Sequence, residues 1–142
     1  MLSPFRSVQR VYFDDLDALN ILHNVRFLLF TERARGELFD ALGFHWEGDL
    51  AENPDKFHVV AEHSIKYLKP VRGLGDLVVL LTPAHLGRSS FVLQARVEAF
   101  HGSLVYAECT TRLVRLDPET RQPCPWSDRF RAALRPMIEA VT

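Results

Sequence analysis

The sequence has little that would indicate a metal centre, a disulfide framework or a membrane segment. Its two cysteines, Cys109 and Cys124, have neither metal-ligand spacing nor a pairing pattern. The longest apolar runs, such as residues 77–81, are far shorter than the ~20 residues that a membrane-spanning helix needs. Residues 1–6 contain no apolar signal core. We therefore expect a reduced, cytoplasmic protein with no metal site and no membrane partner.

An excess of charge of one sign is also missing. The chain has 17 basic and 18 acidic residues and a net charge of −1, so no bulk field draws it to nucleic acid. Any anionic ligand must be held by a few local cations. A glycine-rich phosphate loop, a cysteine nucleophile and a Ser–His–Asp arrangement are absent as well. With 142 residues, 47% of them hydrophobic, the chain is expected to form one domain over residues 1–142 with a sizeable core.

The apolar pattern of the chain predicts one strand, one long helix and then four more strands. The predicted elements are a strand at 8–13, a helix at 24–42, strands at about 57–69, 76–86, 90–101 and 104–116, and a last helix at about 128–140. The first helix is apolar on nearly all sides, which is typical of a buried helix, and Gly43 follows it as a terminator. This order predicts an α+β fold with a curved antiparallel sheet of about five strands wrapped around a long central helix. Such a sheet has free edges, so association that extends it is expected.

Three carboxylates crowd the end of the first strand, at Asp14, Asp15 and Asp17. A helix N-terminus opens a few residues later, and its first backbone N–H groups have no partner within the helix. An anionic base or nucleophile beside such donors suits attack on a carbonyl carbon. We take Asp17 as the candidate; the alternative is that Asp17 only terminates the strand or caps the helix.

The start of the helix supplies the remaining catalytic candidates. The backbone N–H groups of His23, Asn24 and Val25 are candidate donors to a developing oxyanion. Alternatively, the Asn24 side chain simply caps the helix. The His23 imidazole is a candidate to orient Asp17, to hold a water or to act as an acid; the alternative is that it is structural.

Short motifs follow one another along nearly the whole chain. They are Asp15-Leu16-Asp17-Ala18, His23-Asn24, Phe27-Leu28, Glu32-Arg33-Ala34-Arg35, Ile65-Lys66-Tyr67-Leu68-Lys69-Pro70, Gly75-Asp76, Leu86-Gly87-Arg88-Ser89-Ser90-Phe91 and Leu116-Asp117. Together they resemble the acyl-CoA thioesterases of the 4-hydroxybenzoyl-CoA thioesterase family, whose fold is the hotdog fold. Two positions depart from the usual pattern: Asn20 stands where the family has Gly, and Arg26 where one common variant has Asn.

The resemblance implies roles for two of the candidates. The acid at the position of Asp17 attacks the thioester or activates water, and the N–H of Asn24 polarises the carbonyl. The resemblance further implies active sites between subunits of a homodimer or homotetramer. It implies no metal and no organic cofactor, coenzyme A being part of the substrate.

Substrate-binding candidates come from two further segments. Arg88, Ser89 and Ser90 lie in a tight connection between strands, where a guanidinium and hydroxyls would suit the phosphates of coenzyme A; a plain hairpin is the alternative. Phe27 is a candidate for the acyl pocket, although aromatic residues at such spacing are more often core. Glu32, three residues before Arg35, is interpreted as a paired carboxylate rather than a catalytic one.

The sequence thus predicts an acyl-CoA thioesterase. Two alternatives stay open: a hotdog hydratase or dehydratase acting on enoyl or 3-hydroxyacyl thioesters, and a non-catalytic module that binds acyl thioesters. The sequence leaves open the acyl group, the choice between coenzyme A and acyl carrier protein, and the choice between dimer and tetramer.

Overall fold

Each run of Val, Leu, Phe and Tyr that the sequence marks as extended forms a strand. The computed structural model describes residues 4–139, and within them are five strands and two α-helices. In chain order they are β1 (Phe5–Val11), α1 (Asn24–Ala41), β2 (His58–Tyr67), β3 (Gly75–Leu86), β4 (Ser90–Ala99), β5 (Val105–Arg115) and α2 (Asp128–Glu139). All the predicted elements are present, with boundaries shifted by three residues or fewer. Residue 140, the predicted end of the last helix, lies outside the described residues.

The strands form one antiparallel sheet in the order β1-β3-β4-β5-β2. Strands β3, β4 and β5 are consecutive in the chain and neighbours in the sheet, because short connections favour antiparallel pairing. Strands β1 and β2 form the two edges. The predicted sheet of about five antiparallel strands is therefore confirmed.

Helix α1 lies on one face of the sheet, against β1, β3, β4 and β5. Its buried residues are Phe27, Phe30, Thr31, Ala34, Leu38 and Phe39. The opposite side faces solvent: Val25 is 72% exposed, and Arg33 is exposed too. The prediction of a helix buried on all sides is wrong for this chain, because the sheet covers only one face. The helix has 18 residues, or about 27 Å at ~1.5 Å per residue.

The two ends of α1 lie at opposite ends of β2. At the amino end, the Tyr67 hydroxyl donates to the carbonyl of Asn24 at 3.2 Å. At the carboxyl end, the rings of Phe39 and His58 meet edge to face, with centroids 5.8 Å apart. The terms amino end and carboxyl end are used below for these two regions of the molecule.

The carboxyl end is closed by α2 and the segment that precedes it. Trp126, 2% exposed, stacks on Phe130 of α2 with ring centroids 4.3 Å apart. Phe130 in turn meets Phe39 and Phe44 edge to face. Neither α1 nor the described part of α2 is long and apolar enough to cross a membrane.

Candidate active site

The Asp17 carboxylate is fixed in a tight loop between β1 and α1. Its Oδ1 accepts the backbone N–H groups of Leu19 at 2.9 Å and Ile21 at 3.0 Å. Asn20 has φ of 63°, and its N–H donates to the Asp17 carbonyl at 2.9 Å. Asparagine tolerates this left-handed backbone better than most residues, so Asn20 keeps the turn that a glycine would make. Oδ2 of Asp17 has no partner among residues 4–139 and stays available for chemistry.

The neighbouring acid Asp15 has a different environment. It is 4% exposed, and its Oδ2 accepts the N–H of Tyr12 at 2.8 Å. Its Oδ1 lies 3.4 Å from Nε of Arg26, whose Nη2 also contacts the carbonyl of Asp14 at 3.5 Å. Arg26, one of the two departures from the family pattern, thus pairs with Asp15 rather than Asp17. Asp15 holds the loop in place, and Asp17 is the acid left half-exposed.

The start of α1 provides two of the three predicted donors. The N–H of His23 donates to the Asp15 carbonyl at 3.0 Å, so its expected role as an oxyanion donor is wrong. The N–H groups of Asn24 and Val25 have no acceptor in the described part of the chain. The residue at the N-cap is His23, and no side chain caps the helix, so the alternative that the Asn24 side chain is the cap is also wrong. The exposed His23 imidazole has no hydrogen-bond partner within residues 4–139.

A cavity of about 190 Å³ opens beside these donors. It is lined by Ile21, Leu22, Asn24, Tyr67, Leu68, Lys69 and Pro70. Of the lining residues, Leu68 is 49% exposed, and Val25, which follows Asn24 in the chain, is 72% exposed. Leu68 is a lining residue that the sequence analysis does not predict, and its position between the end of β2 and Pro70 is the available signal.

Phe27 lies beneath this region rather than in it. The side chain is 2% exposed and meets the Tyr67 ring edge to face, with centroids 5.4 Å apart. In the described chain Phe27 is a core residue that supports Tyr67.

The structure does not bring Arg88, Ser89 and Ser90 to this region. They form the β3–β4 turn, closed by the N–H of Gly87 donating to the Ser90 carbonyl at 2.9 Å. β3 has 12 residues, and its Gly75 end pairs with the end of β1 that leads to Asp17. At ~3.3 Å per residue β3 spans roughly 36 Å, so the Arg88 turn lies at the carboxyl end. The Arg88 carbonyl accepts the N–H of Trp126 at 3.0 Å, while its side chain is exposed.

Glu32 is part of a polar network in the middle of α1. Its two carboxylate oxygens accept two N–H groups of Arg35, each at 2.7 Å, which confirms the expected pairing. Nε2 of His63 lies 3.6 Å from Oε1 of Glu32, and His63 Nδ1 is 2.9 Å from Oγ1 of Thr111. The network links α1 to β2 and β5.

His58 is a half-buried histidine that is held neutral. Burial lowers its pKa from the ordinary value of 6.5, and the Arg35 cation adds to this effect. A hydrogen bond from Nδ1–H to the Asp55 carbonyl, at 2.7 Å, opposes the shift in pKa without cancelling it. The neutral ring packs between Trp46, Phe39 and Trp126.

We predict a pH dependence of stability from this lowered pKa. The unfolded chain binds a proton at His58 near pH 6.5 and the folded chain only at lower pH, so this contribution to stability is present above pH 6.5 and is lost as the pH falls below it. The urea midpoint should fall between pH 7.5 and pH 5.5, and this fall should be smaller in His58→Gln than in the wild type. His101→Gln, in an exposed turn, should behave like the wild type. An equal fall in His58→Gln and wild type would contradict the assignment.

The remaining candidates for metal or redox chemistry are few. Within residues 4–139, no three His, Cys, Asp or Glu side chains are grouped so that they could hold a metal ion. Both cysteines are free; Cys109 is buried, which raises its thiol pKa, and Cys124 is half-buried.

The loop that leads to the N-terminus of α1 thus holds a fixed carboxylate, and the helix begins with two N–H groups that have no acceptor among residues 4–139. A carboxylate and free N–H donors are the groups that attack on an activated carbonyl uses. The sequence profile of the thioesterase-like superfamily matches residues 11–134. The chain belongs to this superfamily. The predicted resemblance and the predicted enzyme class, a thioester hydrolase, are both confirmed.

Individual relatives match most of the chain. The acyl-CoA thioesterase YbgC of Haemophilus influenzae is 27% identical over 124 residues, which are 87% of this chain and 89% of that protein. A Thermus thermophilus thioesterase, solved with coenzyme A and zinc, is 28% identical with a TM-score of 0.78, covering 94% of this chain and 93% of that one. The 1,4-dihydroxy-2-naphthoyl-CoA thioesterase Slr0204 of Synechocystis has a TM-score of 0.81 at 17% identity, over 94% of this chain and 96% of that one, and shows the shared fold alone.

Proposed function

We propose that the protein hydrolyses acyl-CoA thioesters to a free carboxylic acid and coenzyme A, with Asp17 as the catalytic carboxylate. The observation that carries the proposal is the environment of Asp17: Oδ1 is held by two backbone N–H groups while Oδ2 has no partner among residues 4–139. Membership of the thioesterase-like superfamily and the names of the YbgC relatives support the reaction.

In this mechanism Asp17 acts on the carbonyl carbon and the start of α1 stabilises the oxygen. In one route Oδ2 takes a proton from an attacking water, and that proton passes to the coenzyme A thiolate as the C–S bond breaks. In the other route Oδ2 attacks the thioester and expels the coenzyme A thiolate, and water then hydrolyses the acyl–Asp17 anhydride, giving the free acid and a proton for the thiolate. The unpaired N–H groups of Asn24 and Val25 donate to the oxyanion, where the positive end of the helix dipole adds to the stabilisation. Thioesters are activated acyl groups, so one carboxylate and two donors suffice without a triad. His23 is assigned a supporting role, holding water near the carboxylate.

We propose that two copies of the chain form each site, through pairing of their β2 edges. β2 ends the sheet, and its exposed residues include Val59 at 46% and Tyr67 at 45%. Both edges carry exposed charges, but those of β1, Arg6 and Arg10, are of one sign and discourage pairing of two β1 strands, whereas β2 carries both Glu62 and Lys66. Antiparallel pairing of two β2 strands about a twofold axis sets the amino end of one chain beside the carboxyl end of the other. In such a dimer the two sheets form one continuous sheet and the two α1 helices lie side by side on it. The protein is then a homodimer, or a homotetramer built from two such dimers.

This arrangement gives the Arg88 turn a place in the site. In one chain, the length of β3 separates Arg88 from the Asp17 loop by more than the reach of the pantetheine arm that joins a thioester to its phosphates. Across the paired edges, the Arg88 turn of one copy approaches the Asp17 loop of the other. Arg88 then binds coenzyme A phosphate, with the Ser89 and Ser90 hydroxyls as further donors.

We predict that Arg88→Ala raises KM for acyl-CoA roughly tenfold, equivalent to about 1.4 kcal/mol of binding free energy, with little change in kcat. The loss is in phosphate binding, so KM for the matching acyl-pantetheine, which lacks the nucleotide, should not change. Steady-state kinetics on both substrates measure the difference. Arg112→Ala removes another exposed cation, on β5, and serves as the control. An unchanged KM for acyl-CoA would remove the phosphate role from Arg88.

We also propose which cofactors the enzyme needs and where it is located. It needs no resident metal and no organic cofactor, since water and the thioester are the reactants. A cytoplasmic location agrees with the two free thiols.

Product analysis tests the reaction itself. Incubation with a panel of saturated and enoyl-CoAs should yield equimolar acid and free coenzyme A from at least one member. Hydrated enoyl-CoA without thiol release would identify a hydratase instead. Tight binding of acyl-CoA with no product of either kind would identify a binding module.

A further inference from the structure

A second cavity lies at the carboxyl end of α1, away from the Asp17 loop. Its volume is about 320 Å³, large enough for a planar bicyclic ring. It is lined by Gly36, Phe39, Asp40, Phe44, His45, Trp46 and Glu47. This cavity plays no part in the mechanism above.

The aromatic wall of the cavity is unusually exposed on one side. Phe39 and Phe44 are 6% and 4% exposed, so they are fixed in the core, whereas Trp46 is 60% exposed. The Trp46 ring nevertheless has a defined place: it meets His58 edge to face at 5.8 Å, and Nζ of Lys56 lies 5.6 Å from its centroid. A large indole that is held in place yet open to solvent is a platform for stacking.

Gly36 leaves the floor of the cavity open. Glycine inside a helix is destabilising relative to alanine, so a packing or ligand-related reason for it is expected. A Cβ built on Gly36 meets no atom within 4 Å, so crowding inside this chain does not explain the glycine. The absent side chain instead widens the cavity below Trp46.

The polar groups of the cavity fit a ligand whose ring donates hydrogen bonds from one edge and carries an anionic substituent on another edge. Asp40 is engaged by His45 at 2.5 Å, while Glu47 has no partner in the part of the chain described and can accept from an exocyclic amine. The cation of Lys56 lies beside the Trp46 platform. Trp126, whose backbone N–H donates to the Arg88 carbonyl, packs against His58. The cavity and the Arg88 turn therefore belong to the same end of the molecule.

We propose that this cavity binds the adenine ring of coenzyme A, stacked on Trp46, with its amino group toward Glu47 and its phosphates toward Lys56 and Arg88. The inference rests on the proposed function and specifies its carrier as coenzyme A rather than an acyl carrier protein. Base–aromatic stacking suits the open face of Trp46.

Tryptophan fluorescence tests the site without turnover. Because Trp126 is 2% exposed, quenching on titration with adenosine 3′,5′-bisphosphate should come from Trp46, and pantetheine should cause none. Gly36→Leu, which fills the floor and leaves Trp46 in place, should abolish the quenching. Arg33→Leu adds the same side chain on the exposed side of α1 outside the cavity lining, and should leave the quenching intact. Circular dichroism verifies that both variants are folded.

Kinetics provide the second readout. Trp46→Ala should raise KM for acyl-CoA about tenfold, the change expected from losing one base–aromatic stack, and leave KM for acyl-pantetheine unchanged. Hydrolysis of acyl-CoA with no quenching by the nucleotide and no KM effect of Trp46→Ala would overturn this inference while the proposed function stands. Equal quenching in folded Gly36→Leu would likewise overturn it. Failure to hydrolyse any acyl-CoA removes the proposed function, and the titration then decides the nucleotide site alone.

Discussion

Asp17→Asn is expected to lower kcat for acyl-CoA hydrolysis by a factor of about 100 or more, the usual size of a general-base contribution. The amide oxygen still accepts the N–H groups of Leu19 and Ile21 that bind Oδ1 in the wild type, so the loop keeps its shape. The amide nitrogen at the other position neither takes a proton nor attacks a thioester. The measurement is kcat and KM from thiol release, with KM expected to change little.

Asp14→Asn is the matched control for this variant. Asp14 is an exposed acid three residues away, and its side chain has no hydrogen bond in residues 4–139. The same charge is removed, so a general electrostatic effect would lower activity in both variants. Equal losses in the two variants, or full activity in Asp17→Asn, would exclude Asp17 as the catalytic group.

Asp55→Ala is expected to lower the free energy of unfolding by about 3 kcal/mol, as for other buried carboxylates that lose their partners. Asp55 is 3% exposed and holds the segment before α2 to the sheet. Its Oδ1 accepts the Ser127 N–H at 2.8 Å, its Oδ2 accepts the Ser127 hydroxyl at 2.5 Å, and Nε of Arg115 lies 3.8 Å away. The variant leaves the half-buried Ser127 donors and the largely buried Arg115 guanidinium without their carboxylate.

Urea denaturation followed by circular dichroism measures this loss. Asp55→Asn, which keeps an acceptor but removes the charge, should fall between Asp55→Ala and the wild type. Glu119→Ala, an exposed acid in a turn, should stay close to the wild type. A midpoint for Asp55→Ala equal to that of Glu119→Ala would show that the Ser127 contacts do not hold α2 in place.

The sequence was sufficient for the elements of the fold because local signals agree there. Alternation in residues 91–98 predicts β4, and Gly43 ends the helix region that begins at Asn24. The sequence was not sufficient for the surroundings of α1. The outward face of α1 carries Val25, an apolar residue that the sequence predicts to be buried. Because the sheet covers only the other side of the helix, Val25 is 72% exposed.

The candidate site also has features that the sequence predicts and features that it does not. The sequence alone places Asp17 in the segment that leads to the helix N-terminus, but it does not show which of the neighbouring acids is free. Only the folded loop shows that Asp15 is buried against Arg26 and that its carbonyl occupies the N–H of His23. The grouping of Trp46 with His58 depends on long-range packing, which no local pattern encodes.

The decisive measurement is free-thiol release from a panel of acyl-CoAs by wild type and Asp17→Asn side by side. We expect the wild type to turn over at least one acyl-CoA and the folded variant to lose nearly all of that turnover. Turnover that persists at the wild-type rate in Asp17→Asn, or the absence of thiol release from every member of the panel, would contradict this expectation.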